Sequence, residues 1–158
     1  MNSRVVWFTG LPCSGKTTLA LELKKIMGGY NLDGDDLREG LCSDLGFSKK
    51  DREENIRRVG EVAKILEGNV IVSLVSPYRK SRDKVRELIE WEKDFIEVYV
   101  DCDLDVCKER DVKGLYAKIK NELTPVYEAP LTPEIHVKTD KYNIDECLMK
   151  IIRGIINK

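Results

Sequence analysis

Two kinds of apolar pattern alternate along the 158 residues of the chain. Short runs rich in valine, isoleucine and phenylalanine predict β-strands, and segments with apolar residues every three or four positions predict helices. Strands are predicted at 5–9, 30–33, 70–75, 95–100 and 135–138, and helices at 16–27, 48–66, 81–91, 104–110 and 143–155. This alternation predicts an α/β fold, with a parallel sheet of about five strands flanked by helices on both faces.

Residues with capping chemistry mark several predicted helix ends. Gly28 follows the last apolar position of the first helix, where a left-handed residue commonly ends a helix. Ser48 and Asp51 have the spacing of a capping box at the start of the long helix. Asn143 and Glu146 repeat that spacing at the start of the last helix. These ends give the predicted helices definite boundaries.

We predict one domain over residues 1–158, since this length suits about one hydrophobic core. The segment at about 111–133 is less regular and contains several prolines. It is predicted to form a short lid with a helical start. Ligands of parallel α/β sheets bind beyond the carboxyl ends of the strands. The polar motifs of this chain follow those ends.

The segment after the first predicted strand has the spacing of a P-loop, Gly10-x-x-x-x-Gly15-Lys16-Thr17. Backbone N–H groups of such a loop surround phosphate oxygens, the lysine reaches the β- and γ-phosphates, and the threonine hydroxyl binds Mg²⁺. The following helix adds the positive end of its dipole. The predicted ATP-binding residues are Gly10, Leu11, Pro12, Cys13, Ser14, Gly15, Lys16, Thr17 and Thr18.

Other polar side chains follow the second and third strands. Asp33 and Asp35 end the second strand, where carboxylates can orient Mg²⁺ or accept a hydroxyl proton, although an acidic turn is the alternative. Arg52 and Asn55 share a helix face and suit a phosphate or sulfate beside a base or sugar, with a solvated helix face as the alternative. Ser76 follows the buried strand, as an acceptor contact or as a turn residue.

Composition narrows the possible partners. The 27 basic and 28 acidic residues give a net charge of -1, too balanced to attract nucleic acid or an anionic membrane. No apolar stretch approaches the roughly 20 residues that span a bilayer. Five cysteines without a C-x-x-C pair indicate reduced thiols in a cytoplasmic protein. We interpret His136, Trp7 and Trp91 as structural residues.

Several segments together resemble the adenylylsulfate kinase family. They are LDGDDLREGL at 32–41, DLGFS at 44–48, DREENIRR at 51–58, SPYR at 76–79, RDVKGLY at 110–116 and YEAP at 127–130, in addition to the P-loop. The resemblance covers nearly the whole chain. It implies a P-loop kinase fold, ATP and Mg²⁺ as cofactors, and transfer of the γ-phosphate to the 3′-hydroxyl of the small nucleotide adenylylsulfate.

The resemblance also implies roles for individual residues. Lys16, Asp35 and Ser76 match catalytic positions of the family. Asp35 also matches a metal ligand, together with Thr17. Ser76 matches a serine that is phosphorylated as an intermediate in bacterial members. A direct in-line transfer needs no such intermediate. The resemblance places Arg110 opposite ATP. The implied substrate-binding residues are Asp33, Arg38, Arg52, Asn55, Leu74, Val75, Ser76, Lys113, Gly114 and Leu115.

Two departures from the family concern the base of the acceptor. Leu74 stands where we expect a phenylalanine that stacks on adenine, and the lid is short and lacks a second one, unless Tyr127 replaces it. Because stacking on an aromatic ring contributes about 1–3 kcal/mol per base, the loss of both rings favours an acceptor nucleotide other than adenylylsulfate. Cytidine diphosphoramidate kinase, a relative acting beside a pyrimidine, is therefore an equal alternative. A non-catalytic ATP-binding module and an ATPase or GTPase switch are further alternatives, and a homodimer is one possible assembly.

Overall fold

Five parallel strands form the centre of the computed structural model, which describes residues 3–118 and 127–158. The strands are β1 (Arg4–Thr9), β2 (Tyr30–Asp33), β3 (Val70–Ser73), β4 (Asp94–Asp101) and β5 (Ile135–Lys138). Their order in the sheet is β2-β3-β1-β4-β5, with every neighbouring pair parallel. The predicted parallel sheet is confirmed in the described part of the chain. Residues 119–126 of the predicted lid lie outside the described residues.

Seven helices connect and cover these strands within the described residues. They are α1 (Lys16–Met27), α2 (Gly34–Glu39), α3 (Lys49–Ile65), α4 (Arg79–Glu90), α5 (Leu104–Glu109), α6 (Leu115–Lys118) and α7 (Ile144–Ile156). The apolar pattern did not predict α2, because six residues are too few to show a helical period. Its start is fixed instead by Asp33, whose Oδ1 accepts the Asp35 N–H at 3.0 Å.

Both faces of the sheet are covered by helices, as the apolar run in β3 predicted. Side chains alternate along β1, so Val6 and Phe8 pack against α1 and α7, whereas Val5 and Trp7 pack against α3 and α4. Trp7 is fully buried. Trp91 is 89% exposed, so its interpretation as a packing residue is wrong. It follows the last residue of α4 and lies on the outward side of the turn to β4.

The predicted caps of α3 and α7 differ in one respect. Asn143 and Glu146 form both hydrogen bonds of a capping box. Ser48 Oγ accepts the Asp51 N–H at 3.1 Å, but the Asp51 carboxylate accepts from the Gly46 N–H instead of the Ser48 backbone. Asp51 therefore ties the preceding loop to the start of α3.

The register of the sheet brings several strand ends together. Asp33 at the end of β2 lies beside Ser73 at the end of β3, and Phe8 of β1 lies beside Ser73 on the other side.

All five cysteines of the chain are described and are free thiols. The described residues contain no helix long and apolar enough to cross a membrane. Neither do they contain a group of three or more histidines, cysteines or acidic residues that would hold a metal.

Candidate active site

The loop between β1 and α1 is shaped by residues with special backbone requirements. Gly15 has φ 102°, and Cys13 also has a positive φ, 63°. A Cβ on Gly10 would lie 2.4 Å from the carbonyl oxygen of Val100, so only glycine fits there. Ser14 is buried and its N–H donates to the Leu11 carbonyl at 3.2 Å. The loop is therefore held in a compact turn directly before the first residue of α1.

Lys16 is placed on the inner side of this loop. It is 8% exposed, and its Nζ donates to the carbonyl oxygens of Leu11 at 2.7 Å and Gly10 at 3.0 Å. Burial lowers the pKa of Lys16 to about 8, because the charged form loses hydration. Anionic phosphate oxygens at this position would restore the preference for the charged form. The geometry suits the predicted role of Lys16 in phosphate binding.

A hydrogen-bonded chain links α1 to the ends of β2 and β3. Thr17 Oγ1 and Ser73 Oγ both donate to Asp33 Oδ2, each at 2.7 Å. Asp33 is 8% exposed, and its second oxygen caps α2. A hydroxyl and a carboxylate are the hard oxygen ligands that Mg²⁺ prefers. Thr17 and Asp33 are therefore a fitting pair for a magnesium ion on bound ATP.

Asp35 occupies a different position from the one predicted for it as a partner of Thr17. It lies in the first turn of α2, its side chain is 75% exposed, and its Oδ2 accepts from Lys113 Nζ at 3.1 Å. The Asp35 carboxylate raises the pKa of Lys113. The difference arises because the Asp33 side chain, at the end of β2, is directed toward Thr17 and Ser73, whereas the first turn of α2 directs the Asp35 side chain into solvent. Asp35 and Lys113 join α2 to the segment before α6.

An open cleft of about 1040 Å³ extends from the loop along the first turn of α7. Arg110 lies at this cleft and donates to Thr139 through its carbonyl oxygen at 2.7 Å and its hydroxyl at 3.2 Å. The Thr139 hydroxyl in turn donates to the Ser14 carbonyl at 2.5 Å. Arg110 thus reaches the phosphate loop through a single residue, and its predicted position opposite ATP stays a prediction. The lining residues are Cys13, Gly15, Lys16, Thr17, Thr18, Leu19, Glu22, Arg110, Thr139, Tyr142, Asn143, Ile144 and Asp145.

The predicted arginines of the acceptor site meet around an aromatic ring that sequence reasoning missed. The guanidinium carbons of Arg38 and Arg52 lie 4.2 Å and 5.5 Å from the centroid of the Phe47 ring. Arg52 Nε also donates to the Phe47 carbonyl at 2.9 Å. Phe47 is 50% exposed. The available signal was the single aromatic residue in the DLGFS segment.

Asn55 adds an unsatisfied acceptor to the same face of α3. Its side chain is buried, and its Oδ1 has no hydrogen-bond partner among the described residues. Buried polar atoms normally have a partner, so this oxygen is available to an N–H or O–H group of a ligand. Arg52 and Asn55 lie three positions apart in α3 and share the face that the sequence predicted.

The turn after β3 holds Leu74 and Ser76 away from solvent. Leu74 is 5% exposed and packs in the core beside α3 and α4. Its side chain therefore does not occupy the base-facing position expected of it, because Leu74 continues the alternation of Val70 and Val72 and lies on the same face of the sheet. Ser76 is 3% exposed and has φ 42°. Its hydroxyl accepts from Trp7 Nε1 at 2.9 Å and donates to the Leu74 carbonyl at 3.1 Å.

Val75 and the remaining predicted substrate contacts lie on two separate segments, the turn after β3 and the start of α6. The Val75 carbonyl accepts from Thr9 Oγ1 at 2.7 Å, so Val75 is fixed to the end of β1. Gly114 has φ 64° and is followed by α6, which begins at Leu115. The Tyr127 hydroxyl lies 2.9 Å from Thr9 Oγ1. Tyr127 is thus anchored at the sheet rather than turned toward Phe47.

His136 and its neighbours form a structural cluster. Its Nε2 lies 2.9 Å from Asp101 Oδ2, and its ring lies 4.8 Å from the Tyr99 ring in a stacked arrangement. The Tyr127 ring stacks on the same tyrosine at 6.0 Å. These contacts join β4, β5 and the 127–130 segment, consistent with the structural role expected of His136.

Comparison with known proteins places this geometry in a family. The family model "Adenylylsulphate kinase" matches residues 2–138. An adenylyl-sulfate kinase of Prochlorococcus marinus is 47% identical over 98% of this chain and 84% of its own length. The adenylyl-sulfate kinase of Saccharomyces pastorianus is 46% identical over 97% of this chain and 84% of its own length.

Solved structures give the same result. The Mycobacterium tuberculosis APS kinase CysC in complex with AMPPNP and APS superposes with a TM-score of 0.88 at 37% identity, covering 98% of each chain. Shikimate kinase from Aquifex aeolicus, at 16% identity and a TM-score of 0.64 over 97% of this chain and 96% of its own, shares the fold. The chain therefore belongs to the adenylylsulfate kinase family and has a P-loop kinase fold.

Proposed function

We propose that this protein transfers the γ-phosphate of ATP to the 3′-hydroxyl of adenylylsulfate. The observation that carries the proposal is that α2 joins a phosphate-binding arrangement to a nucleotide-binding one. Asp33 caps α2 and contacts Thr17, whereas Arg38 in the last turn of α2 lies over Phe47. Asp35 and Arg38 are one helical turn apart, which corresponds to a rise of about 5 Å. Asp35 is thus located between the two halves of the site.

On the donor side, the loop and Lys16 would hold the phosphates of ATP, and Arg110 would contact the nucleotide from the opposite wall. Thr17 and Asp33 would hold Mg²⁺. When bound, this ion neutralises charge on the β- and γ-phosphate oxygens. The backbone N–H groups of the loop and the Lys16 ammonium stabilise the same charge from the protein side. Most of the catalysis then comes from alignment and electrostatics.

On the acceptor side, Asp35 would accept the proton of the attacking hydroxyl. It is exposed and carries an ionic contact to Lys113, so the segment before α6 can keep it oriented. Phe47 offers the base a planar surface, while Arg38 and Arg52 offer the sulfate and phosphate two guanidinium groups. Asn55 Oδ1 is free to accept from the base or sugar. These groups together suit a base, a sugar and an anion.

Phe47 also bears on the choice between the two acceptors that the sequence left open. The argument for cytidine diphosphoramidate depended on the loss of aromatic platforms at Leu74 and in the lid. Leu74 packs in the core, whereas Phe47 places an aromatic ring between the two acceptor arginines. One platform for adenine is therefore present, which supports adenylylsulfate.

An ADP-release assay with Mg²⁺ and four acceptors tests the proposal. Adenylylsulfate, cytidine diphosphoramidate, AMP and CDP are offered at equal concentration. We expect adenylylsulfate to be preferred over each other acceptor by about a hundredfold in kcat/KM, which corresponds to about 2.7 kcal/mol. A preference for cytidine diphosphoramidate would assign the other substrate. ATP binding without ADP release from any acceptor would show a non-catalytic module.

The homodimer and the cytoplasmic location stay predictions. A hexameric APS kinase from Thiobacillus denitrificans superposes with a TM-score of 0.77 at 35% identity, covering 99% of this chain and 29% of that one. Light scattering coupled to size-exclusion chromatography tests the dimer, with a mass near twice 18.1 kDa expected. A mass of one chain or of six chains would contradict it.

A further inference from the structure

Arg82 is a buried arginine that contacts three separate parts of the protein. It lies on α4, is 3% exposed, and its Nε donates to Glu97 Oε1 on β4 at 2.8 Å. The two terminal nitrogens donate to the carbonyl oxygens of Ser76 and Glu128, each at 2.6 Å. Its guanidinium also lies 5.8 Å from the centroid of the Tyr127 ring. The planar guanidinium group of Arg82 thus joins the sheet, the turn after β3 and the 127–130 segment.

The 127–130 segment is held to the same helix by further contacts. The Glu128 N–H donates to the Pro77 carbonyl at 2.8 Å, and the Glu128 carboxylate accepts from the Arg79 N–H at 2.9 Å. Arg79 Nε donates to the Ala129 carbonyl at 2.7 Å. The segment therefore packs along the turn after β3 and the first residue of α4, beside the groups that Arg82 holds.

The turn after β3 in turn contacts the helix that carries the proposed catalytic carboxylate. Leu74 precedes Ser76 by two residues, and its Cδ2 would lie 2.9 Å from a Cβ added to Gly34. Gly34 is the first residue of α2, and Asp35 is the second. The Leu74 side chain therefore lies against the start of α2, so the turn that carries the Ser76 carbonyl also borders the helix that carries Asp35.

We propose that Arg82 is a positioning residue for the acceptor half of the reaction. By holding the Ser76 carbonyl and the Glu128 carbonyl against β4, it fixes the turn that supports α2 and, through α2, the orientation of Asp35 and Arg38. The inference rests on the proposed function for its kinetic consequence. It assigns a role to a side chain that touches neither of the proposed substrates.

Replacing Arg82 alone would not test this role cleanly. Glu97 is 8% exposed, and a buried carboxylate without its partner destabilises the protein strongly. Replacing both members of a buried ion pair with apolar residues of similar volume is often neutral for stability. The informative variant is therefore the double substitution Arg82→Met with Glu97→Met. Arg86, which lies 3.6 Å from Glu97, keeps its contacts to Glu90 and Glu134 in this variant.

Two variants provide matched controls. Glu97→Gln keeps an oxygen for Arg82 Nε and leaves both carbonyl contacts in place. Arg86→Met removes a neighbouring guanidinium from the same helix, one that contacts Glu134 and lies 4.7 Å from the Phe95 ring centroid but is not bonded to Ser76 or Glu128. Both controls disturb the same charge cluster without removing the proposed function of Arg82.

Steady-state kinetics with adenylylsulfate and ATP give the first readout. We expect the double variant to remain folded and to lose about tenfold or more in kcat/KM for the acceptor. Displacing a catalytic group by about 1 Å is enough to lower the rate by a large factor. The KM for ATP of the double variant should stay within about twofold of the parent value, because the donor side is not displaced. Both control variants should keep the acceptor kcat/KM within about twofold of the parent value. Unchanged acceptor kinetics in the double variant, or an equal loss in Arg86→Met, would overturn the proposal.

Hydrogen exchange gives a second readout that needs no activity. The Glu128 amide should exchange faster in the double variant, whereas amides of β1 and the same Glu128 amide in Arg86→Met should keep the parent rate. Unchanged exchange at Glu128 would overturn the positioning role even if activity fell. If the parent protein itself fails to phosphorylate adenylylsulfate, faster Glu128 exchange in the double variant would still support the role of Arg82, and only the proposed function would be contradicted.

Discussion

Thr17 Oγ1 donates a hydrogen bond to Asp33 Oδ2 at 2.7 Å. This contact joins the second residue of α1 to the last residue of β2. The strand that precedes α1 is β1, and β3 lies between β1 and β2 in the sheet. Ser73, at the end of that intervening strand, donates to the same oxygen. The carboxylate is therefore fixed beside the phosphate loop, which distinguishes it from the exposed Asp35 on the following helix.

Asp33 and Asp35 should have separable roles in catalysis. Asp33→Asn should raise the Mg²⁺ concentration needed for half-maximal rate, because an amide is a weaker ligand than a carboxylate for a hard cation. Asp35→Asn should lower kcat by about a hundredfold or more through the lost proton acceptor, with the Mg²⁺ requirement unchanged. The measurement is kcat as a function of Mg²⁺ for both variants.

Asp36→Asn is the matched control for these two variants, since Asp36 is an exposed carboxylate in the same turn of α2. It should behave as the parent protein does. An Asp35→Asn variant with full turnover would remove the proposed base, and an unchanged Mg²⁺ requirement in Asp33→Asn would remove the proposed metal ligand.

Phe47 should determine acceptor affinity. Phe47→Ala should raise the KM for adenylylsulfate by roughly five- to 150-fold, because base stacking on an aromatic ring contributes about 1–3 kcal/mol. The KM for ATP should not change, and Phe47→Tyr should preserve both values. Initial-rate kinetics with each substrate varied in turn measure the effect. An unchanged acceptor KM in Phe47→Ala would show that the base binds elsewhere.

Leu74 should contribute to stability instead of acceptor binding. Because its side chain is 5% exposed and packs in the core, Leu74→Ala should lower the free energy of unfolding by about 2–5 kcal/mol. The acceptor KM of the folded fraction should rise much less than in Phe47→Ala. Urea denaturation and kinetics on the same preparation measure both quantities. The reverse pattern would restore Leu74 as a base contact.

The contrast between Phe47 and Leu74 shows where sequence reasoning ends. The bounds of α1 and β2 follow from local apolar periods and from the glycines at 28 and 29, so they could be predicted. The P-loop residues are also contiguous in sequence. Leu74 keeps the alternation of Val70 and Val72, so its burial also follows from a local period. By contrast, Phe47 lies in a loop without any period, so nothing local predicts that its ring lies between two arginines. Contacts across the sheet, such as Thr17 with Asp33, depend on a strand order that one sequence does not reveal.

Ser76 should be structural, not a phosphorylated intermediate. Its hydroxyl is buried and is bonded to Trp7 Nε1 and the Leu74 carbonyl. Ser76→Ala should lower the free energy of unfolding by about 1–3 kcal/mol, since it leaves the Trp7 N–H without a buried partner. Its kcat should remain close to that of the parent protein, because in-line transfer does not use the hydroxyl. Loss of nearly all turnover in a folded Ser76→Ala protein would contradict this assignment.

ATP binding should be coupled to proton uptake at alkaline pH through Lys16. Burial lowers the pKa of Lys16 to about 8, so above that pH the free protein has lost part of this proton. Phosphate oxygens favour the charged ammonium and raise its pKa, so binding takes the proton up again. Below this pKa the lysine is charged in both states and no uptake is expected. Calorimetry in two buffers of different ionisation enthalpy, at about pH 8.5 and about pH 7, measures the difference.

Lys113→Met is the control for this titration. The Asp35 carboxylate raises the pKa of Lys113, so that lysine stays charged across the same pH range. The variant should retain the proton uptake of the parent protein at alkaline pH. Equal binding enthalpies in the two buffers at about pH 8.5 would show that Lys16 does not change its protonation on binding.

The ternary complex tests the account most directly. A crystal structure with Mg²⁺, AMPPNP and adenylylsulfate should place the 3′-oxygen about 3–3.5 Å from the γ-phosphorus and in line with the bridging nitrogen. The magnesium should contact Thr17 and Asp33, and the adenine of adenylylsulfate should lie against Phe47. Adenylylsulfate bound away from α2, or with its 3′-hydroxyl directed away from the γ-phosphate, would contradict the proposed phosphoryl transfer.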